Sequence, residues 1–276
     1  MTYFGFLLRF VMLPIGLLLA VAIWDQRRGR QRALSLRSWP VWAAIALHML
    51  IALIYTTPWD NYLVATRVWW YDPALVTGIT IGWVPIEEYT FFLVQPLLTG
   101  LWLTFLARRL TAPAGPVPAH LRPLRFWLPA VLGVIWLGSV VTLVAGIQPG
   151  TYLALELLWA VPPIALQFAF GADILWHHRR LVLATLLPAT LYLSAADALA
   201  INWGTWTIDP AQSLHILLGG VLPLEEFVFF LLTNMMLTFG VVLVWAEASH
   251  QRIARLRQQW RGRLPRRHTM ESETLH

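Results

Sequence analysis

Seven stretches of this chain are apolar over lengths close to what a bilayer requires: Phe4 to Trp24, Trp39 to Thr57, Ala74 to Ala107, Phe126 to Ile147, Tyr152 to Trp176, Leu181 to Ala196 and Ala211 to Trp245. A helix crossing the hydrocarbon core needs roughly 20 such residues. Only 12% of the 276 residues are charged and 58% are hydrophobic, whereas a soluble domain carries roughly 25% charge. The expected fold is therefore all-α and integral to the membrane, with about seven transmembrane helices, because a helix satisfies its own backbone in lipid. The first run contains Pro14 and leads into a basic loop instead of a small-residue cleavage site, so it reads as a span and not as a signal peptide.

The basic residues orient these spans. All twenty are arginine, and none is lysine. Arg27, Arg28, Arg30, Arg32 and Arg37 follow the first run, Arg108, Arg109, Arg122 and Arg125 the third, Arg179 and Arg180 the fifth, and seven more the last. The opposite loops hold Arg67, and Arg9 lies near the outer end of span one. The positive-inside rule then puts the protein in the cell membrane with its N-terminus outside and its C-terminus in the cytoplasm. This placement explains the formal charge of +6 without nucleic acid as a partner. Cysteine is absent, which removes disulfides, thiolate catalysis and Cys-ligated metals.

An internal repeat organises the chain. Pro85-Ile-Glu-Glu-Tyr-Thr-Phe-Phe92 returns as Pro223-Leu-Glu-Glu-Phe-Val-Phe-Phe230, and upstream Asp60, Trp69, Asp72 and Pro73 match Asp197, Trp206, Asp209 and Pro210. Each unit holds three spans, and the fourth span restores the orientation between them. The expected architecture is two parallel three-helix repeats joined by a connecting helix. Residues 1–110 form the first repeat, 111–150 the linker and connecting span, 151–249 the second repeat, and 250–276 a basic tail. Pro85 and Pro223 suit the first turn of a helix. The apolar stretches before them, Ala74 to Val84 and Ala211 to Leu222, are read as re-entrant or interfacial segments, with one long proline-kinked helix as the competing arrangement.

Carboxyl groups in hydrocarbon are costly, so Glu87, Glu88, Glu225 and Glu226 at matched positions point to function more than to helix-helix hydrogen bonding. Adjacent glutamates diverge by about 100° on a helix, so at most one of each pair faces a given cavity squarely. Burial and a like-charged neighbour favour the protonated carboxyl, and a helix N-terminus favours the carboxylate. Where burial wins, the result is a general acid facing an apolar pocket, suited to protonating a membrane-dissolved alkene. The cation so formed needs aromatic walls, each worth about 0.5 to 2 kcal/mol. Tyr89, Phe91, Phe92, Phe227, Phe229, Phe230, Trp69, Trp83 and Trp206 are near the motifs in sequence.

Asp60 and Asp197 close the preceding spans, as caps or as proton relays, while Asp72-Pro73 and Asp209-Pro210 look like turn starts. Arg9 and Glu156 are expected to snorkel or to pair across the repeats. Asp173, Glu247, His177 and His178 are placed on a solvated rim, and His48 and His215, which lack metal-ligand spacing, in helix packing. Ile253, Leu256, Trp260 and Leu264 among the tail arginines form a stripe that either lies on an anionic membrane surface or belongs to a disordered tail. No dinucleotide fingerprint, Walker loop, zinc-protease motif or aspartate-rich diphosphate motif is present. Without lysine, a retinal Schiff base is impossible.

The doubled Pro-[Ile/Leu]-Glu-Glu-[Tyr/Phe]-x-Phe-Phe, preceded in the first unit by Thr57-Pro58-Trp59-Asp60, resembles the membrane-integral carotenoid cyclases, in particular the lycopene beta-cyclase type whose two small subunits occur separately or fused. The similarity spans nearly the whole chain except the tail. It implies cofactor-independent cyclisation of the ends of lycopene, giving gamma-carotene and then beta-carotene. On this sequence the implied catalytic residues are Glu87, Glu88, Glu225, Glu226, Asp60 and Asp197, with no metal. The implied partners are lycopene or a related linear carotenoid, the lipid bilayer, and other enzymes of the carotenoid pathway. Two alternatives share these features: a cyclase of a C50 carotenoid, and an intramembrane carboxylate-based proton transporter. Unit two departs from the pattern, with Ala195-Ala196 where unit one has Pro58-Trp59.

Overall fold

A computed structural model describes residues 1–263. Among them, seven helices are long and apolar enough to cross a membrane. These are α1 (Tyr3–Arg27), α2 (Val41–Ala65), α3 (Ile86–Ala107), α4 (Leu124–Val144), α5 (Thr151–His177), α6 (Arg179–Asn202) and α7 (Leu224–Trp245). Within α1 the residues Leu8–Met12 widen into a π-helical turn. An amphipathic α8 (Glu247–Arg263) follows. Its Ile253 and Leu256 are exposed; Leu264 and the side chain of Trp260 lie outside the described residues.

Helices α3 and α7, the two that carry the glutamate motifs, form the centre. About 67% of the apolar window of α3 and 56% of that of α7 are buried, against 6% for α4, which rides on the outside of α5. The centre is pinned by hydrogen bonds that need no charge. Gln95 Nε2 and Thr99 Oγ1 both donate to Asn234 Oδ1, at 3.1 and 2.8 Å, in a site without water access. Small residues permit the close crossings. A Cβ on Gly240 would sit 2.1 Å from His48 Nε2, and one on Gly171 2.3 Å from a Leu243 methyl carbon. His48 otherwise packs as expected, its Nδ1 on the Ala44 carbonyl.

At the arginine-rich end Asp25 receives a two-pronged bond from Arg109, at 2.7 and 2.9 Å, and ties α1 to α3. Asp173 is buried here and not on a solvated rim, because Arg252 of α8 closes over it with bonds of 3.0 and 2.6 Å. His178 is also buried, and burial pushes its imidazole down to about 4. His177 is half-buried and Glu247 is exposed.

The opposite end carries short strands between the spans. After α2 and α6 the chain forms β1 (Trp69–Tyr71) and β4 (Trp206–Ile208), which pair antiparallel with Trp69 opposite Ile208, Trp70 opposite Thr207 and Tyr71 opposite Trp206. The stretches before the motif prolines do not extend α3 and α7 as one kinked helix, and of the re-entrant and interfacial readings the interfacial one is compatible with what forms there. They are the small hairpins β2 (Thr80–Ile81) with β3 (Val84–Pro85), and β5 (Leu217–Leu218) with β6 (Leu222–Pro223). Left-handed glycines, Gly82 in the first and Gly219 and Gly220 in the second, make the turns. Pro85 and Pro223 are extended N-caps of α3 and α7, one position earlier than the first turn. Asp72 and Asp209 do start turns, accepting from Ala74 and Ala211 N–H groups.

Candidate active site

Each glutamate doublet splits by direction. Glu87 Oε1 accepts the Thr77 N–H at 2.6 Å and Glu225 Oε1 the Leu214 N–H at 2.7 Å, so these two clamp the chain entering each hairpin to the first turn of the following helix. Glu88 and Glu226, one residue later, turn by about 100° into the bundle. There they line a single narrow cavity of about 50 Å³ with Asp60 and Asp197. The two aspartates are not caps: α2 and α6 continue past them to Ala65 and Asn202, and both side chains are buried.

Tyrosines, which sequence reasoning did not single out, complete the polar set. Tyr3 Oη donates to Glu88 Oε2 at 2.5 Å, and Tyr71 Oη donates to the same oxygen at 3.0 Å. Across the cavity Tyr152 Oη donates to Glu226 Oε1 at 2.7 Å. Trp206 Nε1 donates to Asp197 Oδ1 at 3.0 Å. Burial, and then the Asp60 and Glu88 carboxyls, hold the Tyr71 hydroxyl well above the ordinary phenol range, so it remains a donor across working pH. The available signal for Tyr3 and Tyr152 was their common place at the start of the first helix of each unit.

Glu156 neither snorkels nor meets Arg9, which is exposed. Its carboxyl is fully buried with neither oxygen hydrogen-bonded, and one oxygen each of Asp60, Asp197, Glu87 and Glu225 is likewise without a partner. Asp60, Glu88, Asp197 and Glu226, which share the cavity, are carboxyls gathered in a low dielectric and cannot all be anions at once. The site is therefore built to hold protons.

Aromatic rings close the walls. Of the sequence-selected rings, Phe91, Phe92, Phe229, Phe230, Trp69 and Trp206 line the cavity. Tyr89 does not: its hydroxyl donates to the Ile81 carbonyl and accepts from Asn61, holding the first hairpin in place. Phe227 also stays out of the cavity, and Trp83 is exposed on its hairpin. A stack missed in the sequence runs beside the acids. Trp59 lies parallel to Trp159 at 4.4 Å and to Phe229 at 5.9 Å. A second cavity of about 200 Å³ shares Phe91, Phe92 and Phe229 with the first and continues between α2, α3, α5 and α7. An apolar groove of about 340 Å³ between α1, α3 and α6 shares no residue with the acid cavity.

A cluster of buried carboxyls under aromatic rings, at the end of an apolar path, is equipped for proton transfer to and from a hydrocarbon. The family model described as lycopene cyclase matches residues 5–106 and 149–244. The chain belongs to the lycopene cyclase family. A lycopene beta-cyclase of Halobacterium salinarum is 38% identical over 231 residues, covering 82% of this chain and 88% of that one. A bifunctional lycopene cyclase/phytoene synthase of Sporisorium reilianum is 38% identical over 203 residues, 71% of this chain and 29% of that protein. Its counterpart from Aspergillus niger is 35% identical over 204 residues, 72% of this chain and 34% of that protein. No solved structure matches. Residues 107–148, which contain the whole of α4, fall between the two matched segments.

Proposed function

We propose that this chain closes the linear ends of lycopene to beta-rings by acid-base catalysis in the cavity between α3 and α7. The observation that carries this reading is the convergence of Asp60, Glu88, Asp197 and Glu226 on one aromatic-walled cavity that shares Phe91, Phe92 and Phe229 with a second, mainly apolar cavity. A protonated carboxyl delivers its proton to C2 of an open end, leaving a cation at C1. The C5-C6 double bond attacks C1, and a carboxylate takes the proton from C6. Bonds and protons balance with no net redox change.

The chain's own groups serve each step. Trp59, Phe229 and their neighbours face the cation, where each well-placed ring is worth up to about 2 kcal/mol in a desolvated site. The Tyr3, Tyr71 and Tyr152 hydroxyls stabilise whichever carboxylate is present at a given step. The part of the polyene next to the reacting end enters the 200 Å³ cavity, which shares walls with the acids, whereas the groove between α1, α3 and α6 does not.

The two parallel repeats remain part of this reading. Their support is the self-complementary pairing of β1 with β4 about Trp70 and Thr207, flanked by Asp72 N to Thr205 O at 3.2 Å and Asp209 N to Val68 O at 2.8 Å. These are the contacts that a two-fold axis along the membrane normal produces. The arginine distribution supports a cytoplasmic location for the Asp25 end and an external one for the cavity.

The test is expression in a lycopene-accumulating host without another cyclase. Gamma- and beta-carotene are expected, with one solvent deuterium per ring when lycopene already formed in ordinary water is cyclised after transfer to heavy water. Unchanged lycopene in membranes that contain the intact protein refutes the proposal.

A further inference from the structure

The two sides of the cavity match in their glutamates and differ in what stands behind them. Glu88 accepts two hydroxyl donors on one oxygen, from Tyr3 and Tyr71. Glu226 accepts one hydroxyl, from Tyr152, and its other close polar neighbour is the carboxyl of Asp197, which donates to it only while protonated. Four residues after Tyr3, on the same helix face, comes Leu7, a buried apolar side chain. Four residues after Tyr152 comes Glu156, fully buried, both of its oxygens without a partner. The first side thus surrounds its carboxyl with donors, and the second crowds its carboxyl with another.

Resting on the cyclase reading above, we infer that Glu226 is the proton donor and Glu88 the proton acceptor, and that Glu156 is the positioning residue that keeps the proton on Glu226. Two hydroxyl donors stabilise an anion at Glu88, ready to take the C6 proton. Around Glu156 the titratable neighbours are Tyr152 on its own helix and Glu225 and Glu226 on α7. Glu156 and Glu226, two carboxyls sharing a dry site, ionise only in part, and the proton they retain belongs to the pair. The hydroxyl of Tyr152 links Glu226 to the helix that bears Glu156.

One turnover moves a proton from Glu226 through the substrate to Glu88. The proton on C2 comes from the first carboxyl, and the C6 proton ends on the second. Both glutamates line the same cavity, so the proton on Glu88 returns to Glu226 once the ring has left, with Asp60 and Asp197 on the same wall as intermediate stations.

Purified protein in lipid nanodiscs is supplied with lycopene in heavy water. Wild type forms rings; if it does not, the cyclase reading itself fails. Given a cyclising wild type, Glu88→Gln protonates C2 and cannot complete the ring; rotation about the C1–C2 bond of the waiting cation presents the original C2 hydrogen to the Glu226 carboxylate, so part of the recovered lycopene carries deuterium at C2. Glu226→Gln returns unlabelled lycopene. The reverse pattern, or no label from Glu88→Gln, overturns the division of roles. For Glu156 the readout is the pH-rate profile of ring formation. Glu156→Gln, and Glu156→Leu as the apolar counterpart, remove a carboxyl from the cluster and bring the alkaline limb down by about one pH unit, while Glu156→Asp keeps the wild-type profile. An unmoved or raised limb in folded Glu156→Gln or Glu156→Leu protein overturns the role of Glu156.

Discussion

Replacing Tyr152 by phenylalanine isolates a single hydroxyl. The ring is buried and packs edge-on against Trp69 at 5.3 Å, so Phe preserves the packing and removes the donor that lies 2.7 Å from Glu226. While Glu226 holds its proton that bond is an ordinary neutral one. As the proton leaves for the substrate, the bond becomes charge-assisted, and such bonds contribute about 1.5–3 kcal/mol. Only the excess over the neutral bond, about 1–1.5 kcal/mol, is lost from the barrier, and at 1.36 kcal/mol per factor of ten that slows ring formation roughly 5- to 13-fold. Because the hydroxyl does not contact the polyene path, the lycopene concentration giving half-maximal rate should stay near its wild-type value. Initial rates of gamma-carotene formation in nanodiscs, with thermal unfolding as a control for folding, measure both quantities. A rate within twofold of wild type in stably folded protein refutes the electrostatic argument.

The clamp glutamates should behave differently from the cavity pair. Glu87→Gln and Glu225→Gln retain an oxygen that accepts the Thr77 or Leu214 N–H, so ring formation should fall by no more than about tenfold; total loss in assayed membranes contradicts their assignment to the hairpins. Asn234→Leu leaves the Gln95 and Thr99 donors without an acceptor and should destabilise the bundle by ~1–3 kcal/mol in a detergent unfolding titration. His178 links stability to pH. Its imidazole falls from 6.5 to about 4 in the folded protein, so the unfolded chain binds the extra proton. Stability should be fully present above pH 6.5 and be lost as the pH falls from there towards 4, by up to ~3 kcal/mol. His178→Gln should flatten that interval of the unfolding curve, and an unchanged slope would remove the buried imidazole as its cause.

Much of the site was legible because it is repeated. Glu88, Glu226, Asp60 and Asp197 stand out in sequence as charges in apolar runs, and the structure brings all four to one cavity. The doublets hid the division between Glu87 or Glu225 at the hairpins and Glu88 or Glu226 in the cavity. That split depends on where the helix begins, and the N-cap prolines set the start by one residue. Tyr89 and Phe227 were chosen for proximity along the chain, yet each follows its cavity-facing glutamate by one residue, a turn of about 100° that carries the ring away from the cavity. Tyr3, Tyr71 and Tyr152 were missed because a tyrosine near a membrane interface is ordinary in sequence; only the approach of other helices makes them donors. The stretches before the prolines were read as re-entrant or interfacial because their hydrophobicity resembles a span, and left-handed glycines fold them into hairpins, compatible with the interfacial reading.

The sequence by itself determined the solvent, the seven spans, the repeated unit and the presence of acids where water is scarce, since each follows from side-chain transfer energies and one-dimensional spacing. Only the tertiary structure decided which acids share a cavity, which hydroxyls attend them and that Glu156 stands without a partner beside Tyr152. Those relations join residues far apart in the chain, and their energies depend on distances of a few ångströms that helix packing sets.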